Sequence, residues 1–428
     1  MMVMNFFNTR MIVFFVCFCA APGAAISQSL TLDKAQSLAR SNYPLIKQKN
    51  LIARTAAINI ANLGKGYLPQ FSINGQASYQ SAVTEVDVPI PGLEIDAPEK
   101  DQYKLTADIN QLIYDGGATK QQKSFQQLNA AVEQQQVEVE LFKLKERINQ
   151  VYLGILYLDE QIKQVELVRQ DLQTGLNKVR AQVQNGVAFR SNENVLRAEV
   201  IRAEQRSVEL RSSRAALIET LSLFVNQPLD TSAVFEMPDA PAITDTTVKR
   251  PEIKLFSDQS ALLNQQNKLI NARNMPRTSL FLQGGYGRPG LNLLKNEFDF
   301  FYIGGVRLSW QLGGLYTAKN DKELVKINRG IVDLKKDVFL LNTNAETKKQ
   351  RAEINKLQQL ISSDKEIIDL RKSVTASAKA QLENGVMTAS DYLREINNED
   401  QARQTLITHE IQLLQAEIAY ETLLGNGE

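Results

Sequence analysis

The stretch NGVAFRSNENVLRAE, from Asn185 to Glu199, occurs a second time as NGVMTASDYLREIN, from Asn384 to Asn397. In both stretches a Gly-Val pair is followed four residues later by Ser, and each stretch separates two long helical patterns. The same series precedes each one: a helix broken by proline, an alternating segment, and a Gly-Gly turn into a very long helix. A duplication with a fixed offset predicts two structurally equivalent units within one architecture.

The chain of 428 residues therefore divides into two repeats. We assign residues 28–227 to the first repeat and residues 250–428 to the second. Residues 228–249 form a Pro-containing connector between them, which we place in the equatorial region of the molecule. Each repeat is predicted to contain a helix, two strands and a long helical hairpin, and the two together are predicted to form one domain.

The N-terminal residues 1–27 have the features of a signal peptide. Arg10 is the only charge before an apolar run from Met11 to Ala21, and small residues follow up to Ser27. The run is too short to remain in a bilayer as a spanning helix. Cleavage after Ser27 or after Ala25 fits the pattern of small residues, and we favour Ser27.

Cleavage would remove both cysteines of the chain. Cys17 and Cys19 lie within the signal peptide, so the mature chain has neither a disulfide framework, nor a thiolate metal site, nor a cysteine nucleophile. Acylation of one of these cysteines is disfavoured, because Val16 and Phe18 stand where a small residue is expected before a lipidated cysteine.

The composition is that of long, well-solvated helices, with few Pro and Gly and many Gln, Asn, Ala, Leu and Lys. One of the 49 basic residues and none of the 48 acidic residues lies in the signal peptide, so the mature chain has no net charge. No basic excess points to nucleic acid or to an anionic membrane surface. An exported chain with no later apolar stretch long enough for a spanning helix is periplasmic, extracellular, or held in an outer membrane by strands.

Two very long helices dominate the pattern. In the first repeat, Thr31 is a predicted N-cap, Pro44 interrupts the first helix, and a longer helix runs from Ala118 to Gln184. Apolar residues in this longer helix recur at steps of three and four, which is a left-handed coiled-coil seam about 100 Å long at 1.5 Å per residue. The seam includes Leu141, Leu144, Ile148, Val151 and Ile155. The seam of the second repeat includes Ile331, Leu334, Val338, Leu341 and Ala345.

Four segments alternate between apolar and polar residues and are predicted to be strands with one face of each kind. The apolar positions are Phe71, Ile73, Gly75, Ala77 and Tyr79; Tyr103, Leu105, Ala107 and Ile109; Leu280, Leu282, Gly284 and Tyr286; and Gly304, Val306, Leu308 and Trp310. Asp115-Gly116-Gly117 is predicted to end the second strand, and Gly313-Gly314 is predicted to repeat that turn.

The alternation alone does not show whether these strands lie in a membrane or in a soluble sheet. Four strands cannot close a transmembrane barrel, and an open sheet edge is excluded from lipid, so the strands either lie outside a membrane or are shared between several chains. Aromatic residues in or beside all four segments favour a membrane, where aromatic belts mark the interfaces. A soluble sheet that packs aromatics into a core would show the same alternation.

Short motifs occur along the chain in a characteristic order: Leu30-Thr31-Leu32 with Ala35, Ala39 and Pro44; Leu68-Pro69; Asp115-Gly116-Gly117; Arg250-Pro251-Glu252-Ile253; Trp310 with Gly313-Gly314; and the two Gly-Val-x-x-x-Ser stretches. Their order and spacing give the whole chain after the signal peptide a resemblance to the TolC family of outer-membrane efflux ducts. It implies an α+β membrane protein with an internal duplication. Three copies would form a twelve-stranded outer-membrane β-barrel, with four strands from each chain, continuous with a long periplasmic α-helical coiled-coil barrel. The aromatics at the membrane interfaces would be Phe71, Tyr79, Tyr103, Tyr286, Tyr302 and Trp310.

The resemblance also implies that the two hairpin tips form the periplasmic entrance and dock onto an adaptor (membrane fusion) protein. The tip positions are Gly186, Val187 and Ser191 in the first repeat and Gly385, Val386 and Ser390 in the second. Glycine permits the tight reversal and serine can cap the returning helix. Any helical hairpin would use the same residue types for its turn, so plain turn chemistry is the alternative.

The family often narrows this entrance with acidic residues. Asp391 matches one such position, but Arg394 stands three residues on, where a second acid is common, and Asn192 stands at an acidic position of the first repeat. Three copies would place rings of opposite charge side by side. A single Asp near a helix start is also a common partner of the helix dipole, so the cation selectivity of this entrance is left open.

Nothing in the sequence indicates an enzyme or a cofactor. His409 is the only histidine and is predicted to be a packing or surface residue, and the acid pairs Asp364/Glu366 and Glu399/Asp400 are predicted to lie on charged helix faces. The function implied is a passive exit duct for small molecules (drugs, toxic compounds or metal ions), recruited by an inner-membrane pump of RND, ABC or MFS type and an adaptor. Protein export with a type I secretion pump and a soluble exported coiled-coil scaffold are the alternatives.

Overall fold

The computed structural model describes residues 29–84, 99–240, 247–292 and 295–425. The predicted signal peptide with its two cysteines, residues 85–98 of the loop between the first two strands, and residues 241–246 of the connector lie outside the described residues. The helices are α1 Leu32–Asn42, α2 Ile46–Lys65, α3 Ala118–Gln184, α4 Arg190–Val225, α5 Pro251–Arg273, α6 Gly314–Glu383 and α7 Ala389–Leu424. The strands are β1 Gln70–Tyr79, β2 Asp101–Tyr114, β3 Arg277–Arg288 and β4 Asp299–Ser309.

The two halves of the chain follow the same order of elements, from a helix through two strands to a long helical hairpin. The long helices α3 and α6 have 67 and 70 residues, and the returning helices α4 and α7 have 36 each. The bounds predicted for α3 are confirmed, as are the Thr31 cap, whose hydroxyl accepts from the Lys34 amide at 3.3 Å, and the break between α1 and α2 around Pro44. Within the described ranges, no helix is apolar over enough residues to cross a membrane.

The strands form one antiparallel sheet in the order β1-β2-β3-β4. All four predicted strands are present, but β2 and β4 begin earlier than predicted, at Asp101 and Asp299. Trp310 was predicted to belong to the fourth strand and instead follows it, and its indole N–H donates to the carbonyl oxygen of Asn274 at 3.0 Å. Both β1 and β4 are edge strands, each paired on one side only within the described part of the chain.

The register of the sheet places the apolar positions of neighbouring strands beside one another. Phe71 pairs with Ile109, Ile109 with Leu282, and the next such row joins Ile73, Ala107, Gly284 and Tyr302. Because the pattern has a period of two in all four strands, one face of the sheet is apolar from edge to edge. The exposed members of this face include Phe71, Ile73, Tyr79, Leu105, Phe300, Tyr302, Val306 and Leu308.

Polar side chains dominate the opposite face of the sheet. The Asp108 carboxylate accepts hydrogen bonds from Asn74 at 2.8 Å and from Gln283 at 2.5 Å, so it connects β1, β2 and β3. Two aromatic rings also lie on this face, each opposite a glycine of the neighbouring strand. Phe301 covers Gly285, where a Cβ atom would come within 2.2 Å of the ring, and Phe281 covers Gly305.

The helices bury one seam and expose another. The α3 seam is buried as predicted, with Ile148 and Ile155 fully enclosed in a core that also receives α1, α4 and α7. The α6 seam is equally regular in sequence but lies on the surface of the chain, where Leu334 is 65% exposed and Leu341 is 68% exposed. The prediction of a seam is confirmed for α3, whereas the α6 seam has no partner among the described residues and stays a prediction.

The junctions between sheet and helices differ in the two halves. The buried Asp115 carboxylate accepts from the amides of Gly117 at 2.9 Å and Thr119 at 2.6 Å and from the Tyr67 hydroxyl at 2.8 Å. Burial alone would raise the pKa of Asp115, but these hydrogen bonds together hold it below its usual value. Gly116 and Gly117 have positive φ, whereas Gly313 has φ −58°, so the prediction that Gly313-Gly314 repeats this turn was wrong. Among the described residues, no carboxylate takes the place of Asp115 there.

Candidate functional site: the hairpin tips and the two-faced sheet

The two hairpin tips share one backbone geometry. Gly186 and Gly385 both have φ +72°, a conformation that costs little only for glycine. The next amide in each tip closes the turn, Val187 donating to the Gln182 carbonyl at 2.8 Å and Val386 donating to the Gln381 carbonyl at 2.9 Å. The predicted reversal at both glycines is therefore confirmed in its geometry.

The predicted capping by Ser191 and Ser390 was wrong, because both serines lie inside their helices rather than before them. Thr388 is the N-cap of α7, and its hydroxyl oxygen accepts from the Asp391 amide at 3.1 Å. The equivalent residue of the first tip is Phe189, whose side chain cannot accept a hydrogen bond, so α4 begins without a side-chain cap. A helix start prefers an oxygen-bearing side chain because the first amides have no partner within the helix.

Both tips present apolar side chains to solvent. Val187 is 73% exposed, Phe189 is 80% exposed and Val386 is 77% exposed. Exposed apolar side chains at a hairpin end are compatible both with contact to another protein and with a free turn. The adaptor-docking role of the six tip positions stays a prediction.

The predicted aperture residues are engaged within the chain. Arg394 Nη1 lies 3.4 Å from Asp391 Oδ1, and the Thr388 hydroxyl donates to the other oxygen of Asp391 at 2.7 Å. Asp391 lies in the first turn of α7, where its negative charge stabilises the helix by interacting with the positive end of the helix dipole. Asn192 is half-buried in the first turn of α4. A role of these three residues in closing an aperture stays a prediction.

Beneath the tips, all four helices of the two hairpins share one apolar core, which we call the tip cluster. Its buried members are Leu172, Leu176, Val179, Leu196, Val200, Ala203, Ala378, Leu382, Ala389, Tyr392, Leu393 and Ile396. Tyr392 is 2% exposed and lies against Gly175, where an added Cβ would sit 3.4 Å from the tyrosine ring. Burial raises the pKa of Tyr392 to about 12, so its hydroxyl stays protonated.

Polar contacts join the same two hairpins at the level of the tip cluster. Lys178 of α3 forms an ion pair with Glu383 at the end of α6. The Gln182 side-chain amide donates to the carbonyl oxygens of Leu382 and Glu383, both at 3.4 Å. These contacts run between the first and second halves of the chain rather than within one hairpin.

A layer of polar residues, which we call the polar layer, separates the tip cluster from the larger core above it. The partly buried Asp400 of α7 accepts from the Gln164 amide at 3.1 Å and from Gln404, and Arg206 of α4 lies 4.0 Å from the same carboxylate. Burial raises the pKa of Asp400, an effect that these partners offset only in part. The expectation that Asp400 lies on a charged helix face was wrong.

Further along α6 and α7, His409 Nδ1 lies 2.5 Å from Oδ2 of the buried Asp364. The expectation of a packing or surface residue holds for His409, but Asp364 was wrongly assigned to a solvated face. In the described parts of the chain, no group of three or more His, Cys, Asp or Glu side chains is arranged to hold a metal ion.

The predicted interface aromatics occupy different heights of the sheet. Tyr103 and Tyr286 lie near the end that carries the β1–β2 and β3–β4 loops, where Phe298 stacks on both rings. Tyr79 ends β1 on the same side, and Trp310 lies at the opposite, helix-bearing end. Phe71 and Tyr302 pair with residues in the middle of neighbouring strands. Assignment of these residues to membrane interfaces stays a prediction.

Several residues of the site have no counterpart in the sequence interpretation. Gly175 and Tyr392 were not singled out, although an isolated glycine within a helical pattern is a known sign of close packing, and of the polar layer only Asp400 was named, on the wrong kind of surface. In the sequence the polar layer is visible only as Gln161 and Gln164 in α3 and Asp400 in α7, and nothing shows that these three residues lie at the same height. That height is fixed only when the hairpins are placed side by side.

Comparison with known proteins shows that the chain shares its fold with several solved channel structures. No protein-family model matches the chain, and no curated protein sequence is significantly similar to it. The solved structure of the outer-membrane channel OprN is similar to it at 14% identity with a TM-score of 0.67, covering 92% of this chain and 90% of that one. The CmeC outer membrane channel of Campylobacter jejuni has 14% identity and a TM-score of 0.65, covering 92% and 85%. The open state of the MtrE outer membrane channel of Neisseria gonorrhoeae has 14% identity and a TM-score of 0.65, covering 92% and 89%. The chain has the fold of these channels.

Proposed function

We propose that this chain is a TolC-like outer-membrane efflux channel, the exit duct of a tripartite system. The observation that carries the proposal is the sheet, one face of which is apolar from edge to edge and exposed while the other is polar. A soluble protein rarely leaves so large an apolar face open, whereas a strand in an outer membrane needs one face for lipid and one for a lumen. The shared fold with outer-membrane channels supports the same assignment.

The proposed channel is a closed ring of identical chains, because one chain leaves matching edges open, and the resemblance to TolC-like ducts implies that the ring has three copies. In the sheet these edges are β1 and β4. Among the helices next to the sheet, α2 packs on α3, α3 on α5 and α5 on α6, so α2 and α6 are the outer members. Leu51 and Ile58 of α2 are exposed on one side, and the α6 seam is exposed on the other. Pairing β4 and α6 of each copy with β1 and α2 of the next would remove every edge.

Three copies would close a twelve-stranded barrel and a helical tunnel, and the repeated order of elements supports an internal duplication behind this arrangement. The proposed partners are an adaptor that contacts the hairpin tips and an inner-membrane pump of RND, ABC or MFS type. Small molecules handed over by the pump would diffuse through the duct, so the chain supplies a passage and no catalytic step. Proteins sharing its fold are channels rather than enzymes, which supports this assignment.

The test is the single-channel conductance of the purified, signal-cleaved protein in a planar bilayer, together with its mass in detergent. A trimeric mass with discrete conductance steps is expected. A soluble monomer or dimer without conductance would refute the proposal and support the coiled-coil scaffold instead.

A matched pair of variants makes this test specific to the sheet. Ile73→Arg places a charge on the apolar face, where it would cost about 2–4 kcal/mol at the bilayer midplane, and should abolish insertion. Ser72→Arg places the same charge on the polar face one residue away and should insert with altered conductance.

A further inference from the structure

Two arginines lie side by side at the helix-bearing end of the polar face of the sheet. In the register of β3 and β4, Arg277 pairs with Ser309 and Arg307 pairs with Ser279. The two pairs are two residues apart along each strand, so all four side chains lie on the same face. Arg277 and Arg307 are therefore diagonal neighbours, whose Cα atoms are about 7–8 Å apart.

No carboxylate neutralises this pair of charges. Arg277 and Arg307 are both exposed, and neither forms a salt bridge within the part of the chain that the structure describes. Like charges at neighbouring positions of a sheet repel one another and destabilise it. Departures of this kind from the local rules concentrate at functional positions, where a ligand can supply the missing charge.

The nearest acidic residues are already engaged or lie elsewhere on the sheet. Asp108 is displaced from the Arg307 row by four residues along β3, which is about 14 Å at 3.4 Å per residue, and its carboxylate accepts three hydrogen bonds. The Asp115 carboxylate, beyond the end of β2, is buried and also accepts three. Asp299 shares a row with Lys104 towards the loop-bearing end, so that part of the face carries both signs. The helix-bearing end carries positive charge alone among the described strand residues.

An aromatic ring holds one of the two guanidinium groups. Cζ of Arg307 lies 4.6 Å from the centroid of the Phe281 ring, and this ring covers Gly305, where an added Cβ would come within 3.3 Å of it. The ring face attracts the cation without accepting its N–H groups as a carboxylate would. Among the described residues, these N–H donors have no hydrogen-bond acceptor, so they are free to bind one from outside the chain.

From this arrangement we propose an oxyanion-binding site, in which Arg277 and Arg307 bind a carboxylate, sulfonate or phosphate group and Phe281 positions Arg307. The hydroxyls of Ser279 and Ser309, on the same face, add two further donors. Guanidinium groups suit such ligands because their N–H groups match the spacing of two oxygens of one anion. The inference rests on the proposed duct, in which the polar face lines the lumen, and it assigns the cargo to small molecules that carry an oxyanion group.

Equilibrium binding of pyrene-1,3,6,8-tetrasulfonate tests the site. Fluorescence anisotropy of this probe is followed as the purified, signal-cleaved protein is added in an uncharged detergent at about 10 mM salt, where screening is weak. The parent should bind, and Arg277→Gln and Arg307→Gln should each bind about ten-fold more weakly, as expected for the loss of a charge-assisted hydrogen bond. Arg329→Gln is the matched control, because Arg329 is an exposed arginine of α6 that contacts Asn264 at 3.2 Å away from the sheet, and it should bind as the parent does.

The role of Phe281 is tested by variants that keep both charges. Phe281→Leu removes the ring and should weaken binding of the probe, whereas Phe281→Tyr keeps the ring and should restore it. The reversal potential of the channel in a salt gradient should stay the same in both variants, because no charge is lost, and should shift towards cation selectivity in Arg307→Gln. Unchanged binding in Phe281→Leu would refute the positioning role.

The outcomes separate this inference from the proposed function. A conducting trimer that does not bind the probe, or that binds it equally well after Arg307→Gln, would overturn the oxyanion site and leave the duct standing. A protein without trimeric mass or conductance would overturn the duct, and with it the assignment of the cargo. Loss of binding in Arg307→Gln but not in Arg329→Gln, in a conducting trimer, would establish both.

Discussion

Thr388 and Phe189 occupy equivalent positions in the two hairpins and give their helices different starts. The Thr388 hydroxyl satisfies the Asp391 amide and also donates to its carboxylate, whereas the Phe189 ring lies in solvent. The first turn of α4 is therefore the weaker of the two. A chain that places an exposed phenylalanine where a capping oxygen is preferred departs from a local rule, and such departures concentrate at functional positions.

Removal of the α7 cap should loosen the second tip. Thr388→Ala should destabilise the first turn of α7 by about 1 kcal/mol, which raises the equilibrium constant for opening of its amides about five-fold. Amide hydrogen exchange at residues 389–393 measures this. Ser390→Ala is the control, because Ser390 is exposed within α7 and its hydroxyl makes no hydrogen bond among the described residues. An equal effect of the two substitutions would contradict the assignment of Thr388 as the cap.

At this scale the sequence predicted the kind of turn better than the residue that stabilises it. The Gly-Val pairs identified both reversals, since only glycine adopts their backbone geometry without strain. Ser191 and Ser390 were predicted to be caps because they recur, but each lies inside its helix. The N-cap of α7 is Thr388, and the first tip has no such residue at the equivalent position. Helix boundaries shift by one or two residues without any change in the periodic pattern, so a cap cannot be assigned from periodicity.

At the scale of elements, the polar layer divides the helical hairpins into two apolar parts. Gln161 and Gln164 are buried in α3, and Asp400 faces them from α7 with Arg206 of α4 nearby. Buried polar groups contribute less to stability than apolar contacts of the same size, but they disfavour every register in which they would be left without partners. The layer therefore sets the axial alignment of three helices.

Neutralising the carboxylate of this layer should stabilise the protein near neutral pH. Burial raises the folded-state pKa of Asp400 above its unfolded value of about 3.9, so the free energy of unfolding falls as pH rises through the raised value. Asp400→Asn removes that penalty, and the Gln404 amide can turn to accept from the new side chain. The variant should unfold at a higher temperature than the parent at pH 7, and the difference should vanish below about pH 3.9.

Thermal unfolding followed by circular dichroism between pH 3 and pH 8 measures this difference. Glu399→Gln is the control, because it removes a neighbouring carboxylate that Arg403 already pairs at 2.7 Å, and it should not stabilise the protein. A lower unfolding temperature for Asp400→Asn at pH 7 would contradict the assigned cost of burying this charge.

For the whole molecule, the exposed α6 seam is an apolar surface that no other described residue of the chain covers. The heptad pattern of Ile331, Leu334, Val338 and Leu341 predicted a coiled-coil contact, and the structure places all four on the surface. A pattern of this kind states that a partner exists but not whether it is in the same chain. The α3 seam has the same pattern and packs against α1, α4 and α7 of the same chain.

A charge in this seam should prevent assembly. Leu334→Glu would bury an unpaired carboxylate between copies and should lower the trimeric fraction in detergent, measured by light scattering. Lys336→Glu introduces the same residue on the exposed surface of α6 beside the seam and should leave the trimer intact. A trimer that survives Leu334→Glu would show that α6 does not face another copy.

The broad architecture was predictable because it depends on periodicity, which changes from about 3.6 to 2 at each boundary between helix and strand. Four strands, two long helices and their order followed from that change. The side-chain contacts between elements far apart in sequence could not be predicted from periodicity. Examples are the packing of Tyr392 on Gly175 and the contact of His409 with Asp364. Such pairs depend on which faces meet after folding, and a single sequence contains no signal for that.

The N-terminal segment of the described chain depends on residues far along it. Leu30 forms a parallel bridge with Phe235, and the Tyr152 hydroxyl shares its proton between the carbonyl oxygens of Leu30 and Glu236, at 2.6 and 2.7 Å. Contacts of such high sequence separation form late, because the chain between them must be closed into a loop first. The segment at Leu30 therefore lacks these partners until the connector has been synthesised, so its apolar side chains stay exposed for most of the time that the chain needs to emerge from the ribosome.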